Sequence, residues 1–470
     1  MSGSALDHIL RCKPVVEFVE GGSDDGHPRL ARSIGLFQLT MLGVGSTIGT
    51  GIFVALTAAV PEAGPGVILS FVLAGITAAL TALCYAELCS TVPAAGSSYS
   101  YAYATLGELA AFLIGACLLL EYGVSASAVA VGWGQYLNQL LSDTIGWKLP
   151  MALAAPPGAA GGVFNLPAVV LVLLCTVLLL RGARESAAAN AALVLAKIAV
   201  LILFVAIGLA HFHTRNFHPF APFGMKGIGA AASSIFFSYI GIDAVSTAGE
   251  EVKDPRRTLP LGVILSLLIV TIVYILVALA AVGAQPWTAF AGQEAGLAVI
   301  LHNLTGAAWP AIVLGLGAIA SIFSVTLVTI YGQTRILYAM SCDGLLPAFF
   351  RRVDPVSRVP RQNTLVVAGL VALIAAFVPL DVLINLTSMG TLIAFAAVSA
   401  GVIILRRRRP DLERGYSVPL YPLLPIASVA FCLYLIWGLP LDTFALFAAW
   451  IAGGALIYFG YSIRKSHLRG

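Results

Sequence analysis

"GSTIGTG" at residues 45–51 interrupts an uncharged run, 36–61, that otherwise reads as a membrane-spanning helix. A glycine inside a helix costs roughly 1 kcal/mol relative to alanine, and Ser46, Thr47, Ile48 and Thr50 are middling helix formers at best. Three glycines in seven residues therefore mark a place where the helix breaks.

The surroundings say what kind of helix it is. Of 470 residues, 59% are hydrophobic and 10% charged, and the mean hydropathy is +0.95. That leaves too little polar surface to cover a soluble globule, so the chain reads as an all-α integral membrane protein. Apolar windows fall near 36–61, 65–90, 106–138, 164–180, 187–209, 227–248, 258–283, 307–340, 363–380, 382–405, 417–438 and 442–463, twelve in number. With the N-terminus inside, 22 of the 26 Lys and Arg residues fall on the cytoplasmic side, three (Lys148, Arg215, Lys226) outside, and Lys197 within a span. This bias orients the chain with both termini in the cytoplasm of a plasma (inner) membrane protein. The first 35 residues are charged and lack the apolar core of a secretory leader, so 1–35 reads as a cytoplasmic tail.

Several function classes drop out. The basic residues are spread over loops rather than gathered on one soluble face, so no nucleic-acid partner is expected. The seven cysteines stand singly with no metal-ligand spacing, and they read as inert. No Walker motif, hydrolase triad or paired catalytic carboxylates occur, so no enzyme, cofactor or metal is expected. "HFHTRNFH" at 211–218 reads as an external loop.

A second interruption, "SYIGIDAV" at 238–245, falls in the sixth span and shares a Ser-x-Ile-Gly core with "STIGTGIF" at 46–53. Five spans separate them, so the second five-helix unit would lie upside down relative to the first. Paired interruptions in inverted halves point to a midplane binding site of a secondary transporter. Close helix packing is the bland alternative for such glycines.

"GSTIGTGIFV", "FSYIGIDAV" followed by "EEVKDPRRTLP", and "YGQTRILYAMSCDGLLP" at 331–347 together resemble the amino acid–polyamine–organocation transporters. They are similar in particular to bacterial relatives of the cationic amino acid transporter branch. The resemblance implies twelve transmembrane helices, in a five-plus-five inverted repeat with the first and sixth broken, and two more helices at the C-terminus. The units are then 36–209, 227–405 and 417–463, with 464–470 a cytoplasmic tail.

A helix broken within a membrane leaves NH and C=O groups that survive only against a polar cavity. The NH groups around Ile48, Gly49, Thr50 and Gly51 sit at the positive end of the following half-helix and suit a carboxylate. The carbonyls near Phe237, Ser238 and Ile240 sit at a negative end and suit an ammonium group. An anion site beside a cation site describes an α-amino acid, and the resemblance implies the same substrate. Phe237 resembles the family's aromatic gate over the substrate, against a packed-core alternative. Ser321, Ile322 and Ser324 are candidates for the side-chain pocket. With no acidic partner placed there, neutral amino acids are favoured and cationic ones remain open.

Lys197, in "LVLAKIAVLILF", is a charge deep in a span, and such a group is a functional candidate by default. A desolvated lysine can lose and regain a proton. It resembles the family's fifth-helix lysine, which implies proton-coupled symport; a structural tether to a carbonyl is the alternative. Glu121, in "LLLEYGVSAS", matches an acidic residue of the branch and could relay protons. Asp243 matches the family's acidic residue after the second break and could cap the next half-helix. Glu87, Glu250, Glu251, Asp254, Arg256 and Arg257 could form an inner gate of ion pairs or be ordinary loop charge. "RRRRP" at 406–410 reads as a stop signal anchored to anionic lipid, and "PAAGSSYSYAYATLG" at 93–107 as an amphipathic inner loop. The partners expected are an amino acid, a proton and the bilayer. No disulfide-linked heavy subunit is expected, because 139–163 holds no cysteine. An exchanger, or a sensor that binds without flux, remains an open alternative to a symporter.

Overall fold

The computed structural model describes residues 11–13, 34–49, 51–92, 97–159, 161–182, 187–243, 245, 252–354 and 359–466, without the side chains of 187–189. Among these residues the secondary structure is helical, with no strand and one parallel bridge between Ile34 and Val252. The main helices are α1 Leu36–Thr47, α2 Leu56–Ala63, α3 Val67–Thr91, α4 Ser97–Thr105, α5 Glu108–Ile145, α6 Leu166–Leu180, α7 Ala187–Ala210 and α8 Gly224–Ile235. They continue as α9 Pro255–Ala284, α10 Gly296–Thr305, α11 Ala308–Cys342, α12 Arg361–Phe377, α13 Leu380–Arg408, α14 Leu423–Trp437 and α15 Leu441–Ile457.

Seven helical stretches are long and apolar enough by length and composition to cross a membrane: Leu36–Thr91, Glu108–Ile145, Asn190–Ala210, Pro255–Ala284, Ala308–Cys342, Leu380–Arg408 and Leu441–Lys465. Helix is the form in which a chain can satisfy its own backbone in hydrocarbon, and local signals end each piece. The side chain of Asn165 accepts from Ala168 N at 3.1 Å and caps α6, which carries Pro167 in its first turn. Gly146 and Gly306, both left-handed, end α5 and α10.

α5 is the most buried of the long helices and α15 the least, so the bundle is organised about α5 with the C-terminal helices outside it. α11 and α13 pack along α5, while α9 runs along α3 and α1. The C-terminal ends of α1 and α8 thereby meet the middles of α5 and α11, and the site described below lies there.

Three segments differ from the sequence reading. The stretch 284–306 carries a helix, α10, whose residues Leu297, Ala298, Ile300 and Leu301 are buried. α4, in the stretch read as an amphipathic inner loop, is covered on both faces and packs against α5 and α13. Lys13 N donates to Tyr103 O at 3.0 Å, Lys13 Nζ pairs with Asp343 at 2.9 Å, and Tyr99 donates to the same carboxylate at 2.7 Å. Ser466 Oγ and Tyr458 OH both donate to Glu108, at 2.6 and 3.2 Å.

The third difference is in the arginine run. Arg406 turns inward rather than to lipid and makes a two-pronged pair with Glu87, which also accepts from Val418 N at 2.7 Å and faces Arg414 at 3.4 Å. Glu87 is therefore a buried ion-pair centre joining α3 to α13, while Arg256 meets Glu413 at 3.3 Å on the exposed surface. Glu250 and Glu251 lie outside the described residues.

Candidate functional site

α1 stops where its hydroxyls compete for the backbone. Thr47 Oγ1 donates to Gly43 O at 2.8 Å, and Ser46 Oγ lies 2.9 Å from Leu42 O and 2.8 Å from Gly241 O across the bundle. Ile48 then turns extended (φ −74°, ψ 94°), and the chain resumes helix as a wide π turn at Gly51–Ala55. The second interruption is built differently. α8 tightens into a 3-10 turn at Phe236–Tyr239, Ile240 is extended (φ −67°, ψ 145°), and Gly241 takes φ +97°.

The two breaks touch. A Cβ on Gly51 would run into Ser238 Cα and come within 2.7 Å of Ser238 Cβ. A Cβ on Gly241 would lie 2.6 Å from Ser46 O, on a backbone conformation that side chains avoid. Glycine at both points is a condition of the contact. The hydroxyl of Tyr274 on α9 sits 2.9 Å from both Thr47 O and Ser238 O, so one donor serves a loose carbonyl from each break. Ser321 Oγ on α11 donates to Ile48 O at 3.1 Å.

Between the breaks lies a cavity of about 30 Å³. It is lined by Ser46, Thr47, Gly49 and Gly51 from the first break and by Phe237, Ile240 and Gly241 from the second. α5 contributes Glu121, Tyr122, Ser125 and Val129, and α11 contributes Val325 and Thr329.

The candidates from sequence fall as follows. Gly49, Gly51, Phe237, Ile240 and Glu121 line the cavity. Thr50 lies outside the described residues. The NH of Ile48 is not loose, since it donates to Val44 O at 2.9 Å and closes the last turn of α1. Phe237 O accepts from Ile240 N at 3.3 Å, and Ser238 Oγ is buried without a partner. Ser321, Ile322 and Ser324 are buried in α11 but do not line the cavity. Val325 and Thr329 do, one and two turns beyond Ser321 on the same face.

Lys197 is buried on α7 and donates from Nζ to Gly45 O at 3.0 Å, one turn before the first break. Asp243 accepts from Tyr122 OH at 3.0 Å. The segment Asp243 was expected to cap, 246–251, lies outside the described residues. Glu121 is 1% exposed, and neither carboxyl oxygen is in hydrogen-bonding geometry with another described group. Tyr274, Ser125 and Val129 were not anticipated. The i, i+4, i+8 spacing of Glu121, Ser125 and Val129 was the available signal for the last two, and nothing local marks Tyr274.

The chain is similar to known proteins along most of its length. The family model described as amino acid permease matches residues 34–458. The chain is 45% identical over 442 residues to the methylthioribose transporter of Bacillus subtilis (strain 168), covering 93% of this chain and 95% of that protein. It is 43% identical over 463 residues to the branched-chain amino acid permease BcaP of the same organism, covering 98% and 99%. It is also 36% identical over 413 residues to the vacuolar cationic amino acid transporter 4 of Arabidopsis thaliana, covering 86% and 68%. The chain belongs to the amino acid permease family, in the branch of the amino acid–polyamine–organocation superfamily that holds the cationic amino acid transporters.

Proposed function

We propose that this protein is a proton-coupled secondary transporter that carries L-amino acids through the membrane by alternating access. The observation that carries the reading is the contact of two interrupted helices over one small cavity that holds a buried carboxyl. Backbone of this kind is tolerated at membrane depth only where it is buried in protein or lines a water-filled cavity, and here it does line a cavity. The substrate carboxylate is assigned to the start of the half-helix after Gly49, Thr50 and Gly51, where helix polarity favours an anion. The ammonium is assigned to the carbonyls of Phe237, Ser238 and Ile240. Phe237 is the gate that moves when the cavity widens to admit substrate. Lys197, bonded to the carbonyl of Gly45, and Glu121 are assigned to proton coupling. Asp243, held by Tyr122, has a structural role.

In this reading the chain crosses the membrane twelve times with both termini in the cytoplasm. The units 36–209 and 227–405 form the inverted repeat around the site, 417–463 adds two peripheral helices, and 1–35 and 464–470 are tails. Relatives named for branched-chain and cationic amino acids support the substrate class. The relative named for methylthioribose favours a second reading, in which sugar hydroxyls replace the amino acid groups. A binding panel on the purified protein, with leucine, arginine and 5-methylthioribose, separates the two. Saturable binding of an amino acid is the expected result. Binding of methylthioribose alone would replace the reading.

A further inference from the structure

Among the described residues the cavity lining contains no Lys or Arg, yet it contains the carboxyl of Glu121, buried and without a hydrogen-bond partner among them. The Thr391 hydroxyl beside it, on α13, donates instead to Thr387 O. The titratable groups facing it are Asp243 past the second break, Tyr85 on α3, and Tyr122 and Cys117 on α5 itself. None of these is a cation. α11, packed along α5, presents the neutral Val325, Thr329 and Gln333.

A carboxylate cannot stay ionised and unpaired in a closed, dry site. Whenever the cavity is shut over a substrate, Glu121 must hold one positive charge. A proton supplies it and leaves a neutral pocket of Ser125, Val129, Val325 and Thr329, suited to an apolar or hydroxyl-bearing side chain. The ammonium or guanidinium of a substrate side chain supplies it equally well, and is then paired as a buried charge must be.

We propose that Glu121 takes one positive charge per loaded cycle, from a proton when the substrate is neutral and from the substrate's own side chain when it is cationic. The proposal rests on the amino acid transport reading. With a neutral substrate, a carboxylate oxygen binds the proton on the loading side and releases it on the other. With a cationic substrate the carboxylate stays ionised throughout. However the empty carrier returns, a cationic amino acid then moves with one proton fewer than a neutral one, while the total charge moved per molecule is the same.

The test uses the full chain in liposomes holding a pH-sensitive dye, with labelled leucine and labelled arginine as probes. In the wild type, the proton count per leucine should exceed that per arginine by one, with equal charge per molecule. In Glu121→Gln the difference should vanish, and arginine affinity should fall at least tenfold more than leucine affinity. Equal proton counts in the wild type would overturn this proposal alone, and that measurement needs no variant to fold. Retention of the wild-type arginine-to-leucine affinity ratio in a folded Glu121→Gln protein would also overturn it. Failure of the wild type to take up either amino acid would overturn the transport reading together with this one.

Discussion

Tyr274→Phe removes one oxygen from the centre of the molecule and keeps the ring. That oxygen lies 2.9 Å from Thr47 O and 2.9 Å from Ser238 O, and with the Ser46 Oγ contact to Gly241 O it ties the two interruptions together. The ring is held independently by edge-on contacts with Phe71 and Tyr239, at 6.0 and 5.5 Å between centroids, so phenylalanine should pack in place. Two buried carbonyls then lose a shared donor, and an unsatisfied buried acceptor costs about 1–3 kcal/mol. The loss falls on the state in which the breaks are in contact. If substrate binds that state, a cost of about 1–3 kcal/mol lowers affinity by roughly 5- to 150-fold. Equilibrium binding of labelled substrate reads the affinity, and thermal unfolding in detergent reads the stability. A folded Tyr274→Phe protein with wild-type affinity and melting temperature would refute the claim that this hydroxyl organises the site.

Three further outcomes follow from the same geometry. Gly51→Val places side-chain atoms against the backbone of Ser238, and overpacking of this kind costs about 1–3 kcal/mol; substrate affinity should be lost, and wild-type affinity in a binding assay would argue against a site at this break. Lys197→Ala should abolish accumulation driven by a pH gradient in liposomes, and unchanged accumulation would refute its coupling role. Glu87→Gln leaves the buried side of Arg406 without its counter-charge, and breaking a buried pair costs about 3–5 kcal/mol; the melting temperature should drop clearly while the substrate site is untouched, and an unshifted melt would contradict the burial of that pair.

The sequence showed where the helices break but not how the pieces meet. Glycines clustered in an uncharged run mark the first interruption, and a Ser, a Gly and Asp243 inside an apolar run mark the second. The contact between them includes Tyr274, which comes from a distant helix and has no local mark among its apolar neighbours. The pocket on α11 shows a second limit. Ser321, Ile322 and Ser324 lie on a helix that helps to line the cavity, but not at the cavity itself. Ser321 shares the face of Val325 and Thr329 but stands one turn short of the cavity, where it serves a carbonyl of the first break. Hydropathy likewise missed α10, too short for a span, and the inward turn of Arg406, because four consecutive arginines read as surface until Glu87 is seen opposite.

The central claim is that the cavity between the breaks carries an amino acid through the membrane together with a proton. Its most direct test is the uptake of labelled leucine into sodium-free liposomes containing the purified protein, with an inward proton gradient imposed and then collapsed by a protonophore. The account predicts accumulation above equilibrium that disappears with the gradient and is unaffected by added sodium. Saturable binding without uptake, or uptake that requires sodium, would contradict it.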